Sequence, residues 1–463
     1  MEVRFSEEDI LSATSARKVR AGRRSSFEAV CTDSRALTAG CLFVALRGER
    51  FDAHDFLEQV ASAGAGGAVV REGVRLPQLP EGFGIYQVAD TLAALGALAH
   101  LHRSRFRIPL GAVGGSNGKT TTKEMAAAIL STRGPALKTE GNLNNEVGVP
   151  LTLFRLEPHH TAAVIELGMN HPGEMTRLAN IARPGAAVLT VIQPEHLEML
   201  GSLEGVAQAE AELFHALPRS GTAVVNLDDP YIVGESRTLS CRTLTFGRGE
   251  RAEVRLAAVE QLGREGLRVL IESDGRAHAV KLSFLGEHNA LNAAAAFALA
   301  RALGYSSEEC AAGLEAARPY ARRLNLLEAP GGVTVLDDCY NANTSSVVAA
   351  LDTVAQLARA QNGRAVAVLG DMLELGPGEL DEHRKVGERA RTAVALAAFF
   401  GPRSRATQEA ARLGAHFTDI DPLLDWLRPQ LRRGDVVLVK GSRGMRLERV
   451  VEALSGVRAG GAH

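Results

Sequence analysis

The sequence predicts an α/β protein of three domains: a small mixed α/β domain at residues 1–105, a central domain on a mostly parallel sheet at 106–321, and a Rossmann-like domain at 322–463. Three observations predict this class. The 463 residues exceed what one hydrophobic core holds and suit two to four domains. From about residue 106, apolar runs rich in β-branched residues alternate with helical patterns. A glycine-rich turn joins one of those runs directly to a helix.

The first domain mixes short strands with small helices. Cys41–Leu46 and Gly67–Val70 are apolar runs of strand length, and Thr91–His102 has a helical pattern that leads out of the domain.

The central domain contains the clearest alternation. Its predicted strands are Ile108–Val113, Ala162–Glu166, Ala187–Ile192 and Thr222–Asn226, and its predicted helices include Lys123–Leu130, Ser202–Leu217 and Asn289–Leu303. Such alternation predicts a mostly parallel sheet covered by helices. Residues 251–285 instead read as an antiparallel insert with glycine-rich turns.

The third domain has predicted strands at Val333–Asp337, Ala365–Gly370 and Asp435–Lys440, each followed by a helix or by a loop that leads into one. This order predicts a doubly wound sheet. No G-x-G-x-x-G motif follows its strands, so a dinucleotide site is not implied.

Composition excludes several classes of protein. A net charge of −2 and 5% aromatic residues give no support for nucleic-acid or membrane partners. No apolar run approaches the roughly 18 residues of a membrane span, so the alanine-rich stretch Ala293–Ala300 is predicted as a core helix. Five scattered cysteines without a C-x-x-C pair argue against a zinc or disulfide framework, and no signal peptide is evident. A cytoplasmic monomer is expected.

The motif Gly115–Thr121, Gly-Ser-Asn-Gly-Lys-Thr-Thr, predicts a phosphate-binding loop because it lies between a strand and a helix. Glycines let backbone N–H groups approach phosphate, and the helix N-terminus adds positive charge. Lys119 is placed to reach the β- and γ-phosphates, and Thr120 to offer its hydroxyl to magnesium. The general motif has a glycine where this chain has Val113, so the loop is a shorter variant. The alternative is an ordinary glycine-rich turn. The central domain is therefore predicted to be of the P-loop ATPase type, with ATP and Mg²⁺ as ligands.

Further polar residues follow predicted strands at the edge where ligands bind. Glu166 is a candidate magnesium ligand. Taken alone, a glutamate at the end of a strand is more simply interpreted as a residue that solvent surrounds. His196 is a candidate site residue only because its strand is expected to lie beside the strands that carry the phosphate loop and Glu166. The side-chain amides of Asn289 and Asn292 can donate hydrogen bonds to adenine and accept them from it, although an asparagine there is often a helix cap. The segments Asp337–Asn343 and Lys440–Arg443 suggest polar recognition, the first with an Asx-rich turn as its alternative.

These motifs together resemble one family, the Mur ligases of peptidoglycan synthesis. The resemblance covers nearly the whole chain and is carried by Thr32–Arg35, Gly40–Leu46, Gly115–Thr121, Gly141–Pro150, Glu166–Glu174, Asp337–Asn343, Gly370–Gly376 and Lys440–Arg443. The Gly141–Pro150 segment resembles the branch that adds D-alanyl-D-alanine to UDP-N-acetylmuramoyl-tripeptide. The implied reaction is ATP-dependent: the tripeptide carboxylate forms an acyl phosphate, which the amine of the dipeptide attacks.

The resemblance also implies roles for single residues. The nucleotide would be held by Gly115, Ser116, Asn117, Gly118, Lys119, Thr120 and Thr121, by Asn289 and Asn292 on the adenine side, by Arg323 at phosphate and by Asp338 at ribose. The two Mg²⁺ sites would use Thr120 and Glu166 for the first ion and His196 for the second. The other substrates would be held by Ser34 and Arg35 at uridine, by the loop with Asn142 and Asn145, and by Asn341, Asn343 and Ser442 on the dipeptide side.

One departure concerns the second magnesium site. Mur ligases commonly have a carbamylated lysine there, and the expected position, fourteen residues after His196, is Glu210. No lysine occurs between Lys138 and Lys281, so this segment has no carbamate. The hypothesis is that Glu210 supplies the carboxylate directly, through a bridging water or a closer helix. The alternative is a solvated helix residue. Thr344 and Cys339 are smaller departures, at positions where proline and serine are expected.

Two other functions remain open from the sequence. Another ATP-dependent amide ligase, either a sibling Mur ligase or a folate-polyglutamate-type enzyme, fits the same loop. A P-loop switch protein is the alternative from a different class, but it needs no third domain with its own ligand edge.

Overall fold

A computed structural model of the protein describes residues 4–48 and 51–457. The chain divides into two compact units. The first comprises the residues up to Leu110 together with Arg133–Gly168 and Thr176–Pro184, and the second comprises Gly111–Thr132, Met169–Met175 and the chain from Gly185 onward. The domain boundaries predicted near residues 105 and 321 stay predictions.

The described strands, numbered along the chain, are β1 Phe5–Ser6, β2 Arg17–Arg20, β3 Ser26–Phe27, β4 Val30–Cys31, β5 Leu42–Val44, β6 Gly67–Arg71, β7 Gly84–Val88, β8 Leu110–Gly114, β9 Ala136–Lys138, β10 Ala162–Glu166, β11 Ala186–Leu189, β12 Thr222–Asn226, β13 Arg242–Gly247, β14 Val254–Gln261, β15 Leu267–Ser273, β16 Arg276–Leu282, β17 Asn325–Ala329, β18 Val333–Asp337, β19 Ala365–Gly370, β20 Leu396–Phe400, β21 Ala415–Phe417 and β22 Val436–Lys440.

The described α-helices are α1 Glu7–Thr14, α2 Leu57–Ser62, α3 Thr91–Ser104, α4 Lys119–Leu130, α5 Gly148–Leu153, α6 Glu174–Ala182, α7 Leu197–Leu200, α8 Leu203–His215, α9 Pro230–Ser236, α10 His288–Ala302, α11 Ser307–Ala316, α12 Thr344–Ala360, α13 Glu379–Ala393, α14 Ser404–Ala411, α15 Ile420–Leu427 and α16 Glu448–Ser455.

The first unit is built on a five-stranded sheet in the order β2-β7-β6-β5-β4, in which only β2 is antiparallel to its neighbour. A buried cluster that includes Phe43, Val60 and Ile85 packs in this region. Strands β9 and β10 of the same unit pair in parallel, with Ala162 opposite Ala136. Helix α3 begins where Asp90 caps two backbone N–H groups of its first turn.

The second unit contains a sheet in which β8, β11, β12, β13 and β14 follow one another in parallel, and β14, β15 and β16 continue it antiparallel. The antiparallel part is the insert that the sequence predicts at 251–285. Helix α10 packs on this sheet, and its stretch Ala293–Ala300 is fully buried, as predicted for a core helix.

The second unit also contains a six-stranded sheet in the order β17-β18-β22-β19-β20-β21, parallel except for β17. Alternate residues of each strand enter opposite hydrophobic clusters: Val436 and Leu438 belong to one, and Val437 and Val439 to the other. A sheet that is buried on both faces is typical of a doubly wound unit. The predicted α/β class with a parallel central sheet and a Rossmann-like C-terminal sheet is therefore confirmed.

Two predicted boundaries differ from the structure by more than two residues. Helix α4 begins at Lys119, before the predicted Lys123, because Gly118 with φ of 83° ends the loop directly ahead of it. Strand β11 ends at Leu189, before the predicted Ile192, because Val191 and Ile192 bond with loops instead of a strand. Within the described ranges, no helix is long and apolar enough to cross a membrane.

Candidate active site

The glycines of the loop between β8 and α4 have conformations that other residues rarely adopt. Gly115 has φ of 109° and Gly118 has φ of 83°. A Cβ atom on Gly115 would lie 2.3 Å from Oγ1 of Thr190, and one on Gly118 would lie 2.3 Å from Oδ1 of Asn292. Backbone geometry and crowding thus both require glycine, and the loop leads into the N-terminus of α4, as in a phosphate-binding loop.

Side chains that follow β11 hold this loop in place. The hydroxyl of Thr190 donates to the carbonyl oxygen of Asn117 at 2.6 Å. The hydroxyl of Ser116 donates to the carbonyl oxygen of Gln193 at 3.0 Å and accepts from its N–H at 2.9 Å. These hydrogen bonds fix the loop from within the protein, which reduces the entropy that phosphate binding must overcome.

Lys119 lies in the first turn of α4 and faces carboxylates. Its Nζ donates to the carbonyl oxygen of Gly115 and lies 3.8 Å from Oε2 of Glu195. The two side chains are 16% and 12% exposed. A cation over the loop is the arrangement expected of a lysine that binds phosphate.

Glu210, on α8, contacts the same loop. Its side chain is 1% exposed, and Oε2 accepts a hydrogen bond from the Gly115 N–H at 2.7 Å. Burial, opposed by the charge of Lys119 and reinforced by the Glu195 carboxylate, raises the pKa of Glu210 to about 7. The interpretation as a solvated helix residue is wrong, because the helix turns this carboxylate into the interior.

His196 lies at the start of α7, with φ of 49°, and its Nδ1 is 3.6 Å from Oε2 of Glu374. The His side chain is 25% exposed, so a partner from solvent can reach it. Its proposed metal role stays a prediction.

Asn289 and Asn292 form a hydrogen-bonded pair in the first turns of α10. Nδ2 of Asn292 donates to Oδ1 of Asn289 at 2.8 Å, and Nδ2 of Asn289 donates to the Leu285 carbonyl oxygen at 2.7 Å. Asn289 is not the N-cap, which is Glu287. Because Asn292 adjoins Gly118, the structure brings this pair to the phosphate loop.

The carboxyl edge of the six-stranded sheet carries a buried ion pair. Nζ of Lys440 lies 2.6 Å from Oδ2 of Asp338, and the two side chains are 1% and 9% exposed. Burial lowers the pKa of Lys440 from its ordinary value, and the Asp338 charge opposes that effect. The same ammonium donates to the carbonyl oxygen of Asn341 at 2.9 Å.

Two arginines stack on one tyrosine beside this ion pair. The guanidinium carbon of Arg323 lies 4.3 Å, and that of Arg443 5.6 Å, from the ring centre of Tyr340. Nη2 of Arg323 is also 3.5 Å from the hydroxyl of Thr120. Arg323 therefore lies next to the phosphate loop, and its role as a phosphate ligand stays a prediction.

Asn343 and Ser442 already have internal partners. Oδ1 of Asn343 accepts from the N–H of Ser346 at 3.0 Å and thereby caps α12. Oγ of Ser442 accepts from the Leu373 N–H at 2.9 Å and is 5% exposed. Asn341 is exposed and contributes its carbonyl oxygen to Lys440. Their predicted roles on the dipeptide side stay predictions.

In the first unit, Glu166 ends β10 with a buried carboxylate that is 3% exposed. Nδ2 of Asn144 donates to Oε1 at 2.9 Å, and the Glu166 N–H donates to the Thr139 hydroxyl at 2.9 Å. Among the described residues, Oε2 finds no hydrogen-bond partner. A buried carboxylate oxygen without a partner fits a cation ligand.

The candidate uridine residues Ser34 and Arg35 lie in the loop after β4. The Arg35 guanidinium forms two hydrogen bonds with Asp33, at 2.9 and 2.7 Å, and lowers the pKa of that carboxyl to about 2. Oδ1 of Asn145 accepts from the N–H of Gly148, the first residue of α5, at 2.8 Å, and Asn142 is exposed nearby.

Across the parts of the chain that the structure describes, no three His, Cys, Asp or Glu side chains gather closely enough to hold a metal by themselves. Single carboxylate or hydroxyl oxygens, such as those of Glu210 and Thr120 in the second unit, suit Mg²⁺, which keeps water and substrate phosphate oxygens in its shell and takes few protein ligands.

Sequence reasoning missed Asn144, Glu195 and Tyr340. Asn144 lies within the same asparagine-rich loop as Asn142 and Asn145, so the motif itself held that signal. Glu195 precedes His196, but its approach to Lys119 depends on how two loops meet. Tyr340 lies inside the Asp337–Asn343 segment, and nothing in its spacing indicates two stacked arginines.

Comparisons with known proteins agree with the resemblance. The Mur ligase middle domain matches residues 113–300, and the Mur ligase, glutamate ligase domain matches residues 322–443. The UDP-N-acetylmuramoyl-tripeptide--D-alanyl-D-alanine ligase of Escherichia coli (strain K12) is 40% identical over 433 residues, 92% of this chain and 93% of the relative. A crystal structure of MurF from Acinetobacter baumannii superposes with a TM-score of 0.89 at 33% identity, covering 98% of this chain and 99% of that one. MurF ligase from Thermotoga maritima, solved in complex with ADP, gives 0.82 at 28% identity, covering 92% and 97%.

Proposed function

The chain belongs to the Mur ligase family, and from that premise we propose that it is the ATP-dependent ligase that joins D-alanyl-D-alanine to UDP-N-acetylmuramoyl-tripeptide. The observation that carries the proposal is similarity to ligases of this specificity over 92% of the chain, together with a formed phosphate loop. The reaction consumes ATP, the tripeptide carboxylate and the dipeptide amine, and it yields the amide, ADP and phosphate.

The loop residues supply the binding of the triphosphate. The N–H groups at the N-terminus of α4 would face phosphate, whereas those of Gly115 and Ser116 already donate to Glu210 and to the Val191 carbonyl oxygen. Lys119 adds a positive charge beside the transferred group. Arg323 approaches from the six-stranded sheet and adds a second cation. In-line attack by a carboxylate on a phosphoryl group brings anions together, so these fixed charges lower the barrier.

Magnesium, when bound, would neutralise the phosphate charges further. Thr120 and Glu166 are proposed ligands of one ion, as the family resemblance implies. Among the residues that the structure describes, Oε2 of Glu166 has no hydrogen-bond partner, which suits a cation ligand. His196 and Glu210 are proposed for a second ion. Since Oε2 of Glu210 accepts from Gly115, Oε1 is the oxygen left for this role. A pKa of about 7 means that a nearby cation would favour the ionised form at neutral pH.

The test is phosphate release from ATP with UDP-N-acetylmuramoyl-tripeptide and D-alanyl-D-alanine, with and without added bicarbonate after degassing. The expected result is turnover that requires both substrates and is indifferent to bicarbonate, since position 210 has no amine to carbamylate. Lys119→Met is the matched inactive control. Turnover with another amino acid in place of the dipeptide would replace the substrate assignment, and slow ATP hydrolysis that neither substrate accelerates would indicate a switch protein.

A further inference from the structure

Two side-chain amides from distant parts of the second unit form a reciprocal pair. Nδ2 of Asn117, in the phosphate loop, donates to Oδ1 of Asn343 at 3.2 Å. Nδ2 of Asn343, at the N-terminus of α12, donates back to Oδ1 of Asn117 at 3.1 Å. The two residues are 226 positions apart in the chain, so the contact joins the loop of one sheet to the carboxyl edge of the other.

Each member of the pair is also tied to its own element. Asn117 donates to Oε1 of Gln193 at 2.5 Å, and its carbonyl oxygen accepts from Thr190 at 2.6 Å. Asn343 caps the seventeen-residue helix α12 in a reciprocal box with Ser346, whose hydroxyl accepts from the Asn343 N–H at 3.1 Å. A shift of α12 would therefore act on the phosphate loop through one defined contact.

We propose that the Asn117–Asn343 amide pair is a positioning contact, through which the N-terminus of α12 holds the phosphate loop in the geometry for phosphoryl transfer. The inference rests on the proposed function and deepens it. Neither side chain need touch the transferred group. The pair makes the geometry of the phosphate loop depend on the position of the sheet edge that carries Asp338, Lys440 and Arg443. The rate of phosphoryl transfer therefore depends on that position as well.

Loss of the amide pair should lower the rate of phosphoryl transfer more than the affinity for nucleotide. The loop retains its contacts with Thr190 and Gln193 when Asn343 is changed, so nucleotide can still bind. Transfer between two reactants is far more sensitive, because a displacement of about 1 Å can cost roughly 100-fold in rate. Because the pair is one of several contacts that hold the loop, we expect its removal to lower kcat about 10-fold.

The chain offers variants that separate this role from helix capping. Asn343→Ser retains a good N-cap residue but is too short to reach Asn117. Asn117→Ala removes the other partner. Ser346→Ala damages the capping box and leaves both amides in place, so it is the matched control for a purely structural role.

The experiment measures kcat, the KM for ATP, ADP affinity by titration calorimetry and the melting temperature for the full-length protein and these variants. Asn343→Ser and Asn117→Ala should each lower kcat about 10-fold, with ATP KM and ADP affinity changed less than about threefold. The double variant should fall about 10-fold, because both changes break the same contact. Ser346→Ala should lower the melting temperature and retain wild-type kcat.

Wild-type kcat in Asn343→Ser would overturn the proposal, as would a double variant whose loss is the product of the single losses. An equal loss of kcat in Ser346→Ala would assign the effect to the helix cap instead. Failure of the wild-type protein to turn over both substrates is a different result, since it would overturn the proposed function itself.

Discussion

Glu210→Gln should stabilise the protein in a manner that depends on pH. The folded protein holds the pKa of Glu210 at about 7, against 4.5 for an ordinary glutamate. Below pH 4.5 the folded and unfolded chains both carry the proton. Between pH 4.5 and 7 the unfolded chain releases it while the folded protein retains it, so the free energy of unfolding falls as pH rises. Each pKa unit corresponds to about 1.36 kcal/mol, so the cost reaches about 3 kcal/mol above pH 7.

Glutamine has the same shape without the ionisation, and its carbonyl oxygen can still accept from the Gly115 N–H. Urea unfolding of wild type and Glu210→Gln, without nucleotide or magnesium, should differ by less than about 1 kcal/mol at pH 4.5 and by about 3 kcal/mol in favour of the variant at pH 8. Glu204→Gln, an exposed position on the same helix, is the control and should show no such trend. A Glu210→Gln difference that is constant across pH would refute the reasoning, since it would mean that the carboxyl ionises as it does in solvent.

Three further changes test the site. Gly115→Ala should weaken ADP binding at least about 100-fold by calorimetry, because φ of 109° and a clash at 2.3 Å with Thr190 both oppose a Cβ atom; unchanged affinity would show that the loop relaxes freely. Lys440→Met should destabilise the protein by about 3–5 kcal/mol in thermal unfolding, since Asp338 keeps a buried charge without its partner, and Asp338→Asn in the same chain should restore part of the loss. Tyr340→Leu should lower kcat/KM about 5- to 30-fold because two stacked cations lose their platform, whereas the phenylalanine variant should stay within about threefold; equal losses in both would assign the effect to the hydroxyl.

Local patterns in the sequence predicted much of the fold. Ala162–Glu166, Thr222–Asn226, Val333–Asp337 and Ala365–Gly370 are strands with the predicted bounds, because each is a short apolar run between clear turns. The error at Ala187–Ile192 has a physical cause. Residues 190–192 are apolar or β-branched like a strand, but their backbone groups and the Thr190 hydroxyl bond with the phosphate loop and with Asp229. Hydrophobic periodicity in the sequence gives no information about such tertiary hydrogen bonds.

The residues of the site also divide into those that local sequence predicts and those that depend on tertiary packing. Gly115–Thr121 could be predicted because its residues are consecutive in the chain, so that their types and spacing alone define the loop. The Asn117–Asn343 amide pair and the stack on Tyr340 could not, since each joins residues whose proximity depends on how helices and sheets pack. Asn289 shows that a residue type alone misleads: asparagine favours N-caps, yet Glu287 is the cap here and Asn289 bonds inward.

Glu210 shows what each level of reasoning adds. The sequence identified it by the lysine that is missing, and it left open whether the side chain enters the site at all. A carbamylated lysine places its carboxylate several atoms farther from the backbone than a glutamate can. In the structure, the short carboxylate reaches the Gly115 N–H at 2.7 Å and uses one oxygen there. The same group that is proposed to serve the second magnesium therefore also fixes the start of the phosphate loop. Removing its charge should consequently stabilise the fold while impairing catalysis, a pairing that neither a solvated glutamate nor a purely structural one would produce.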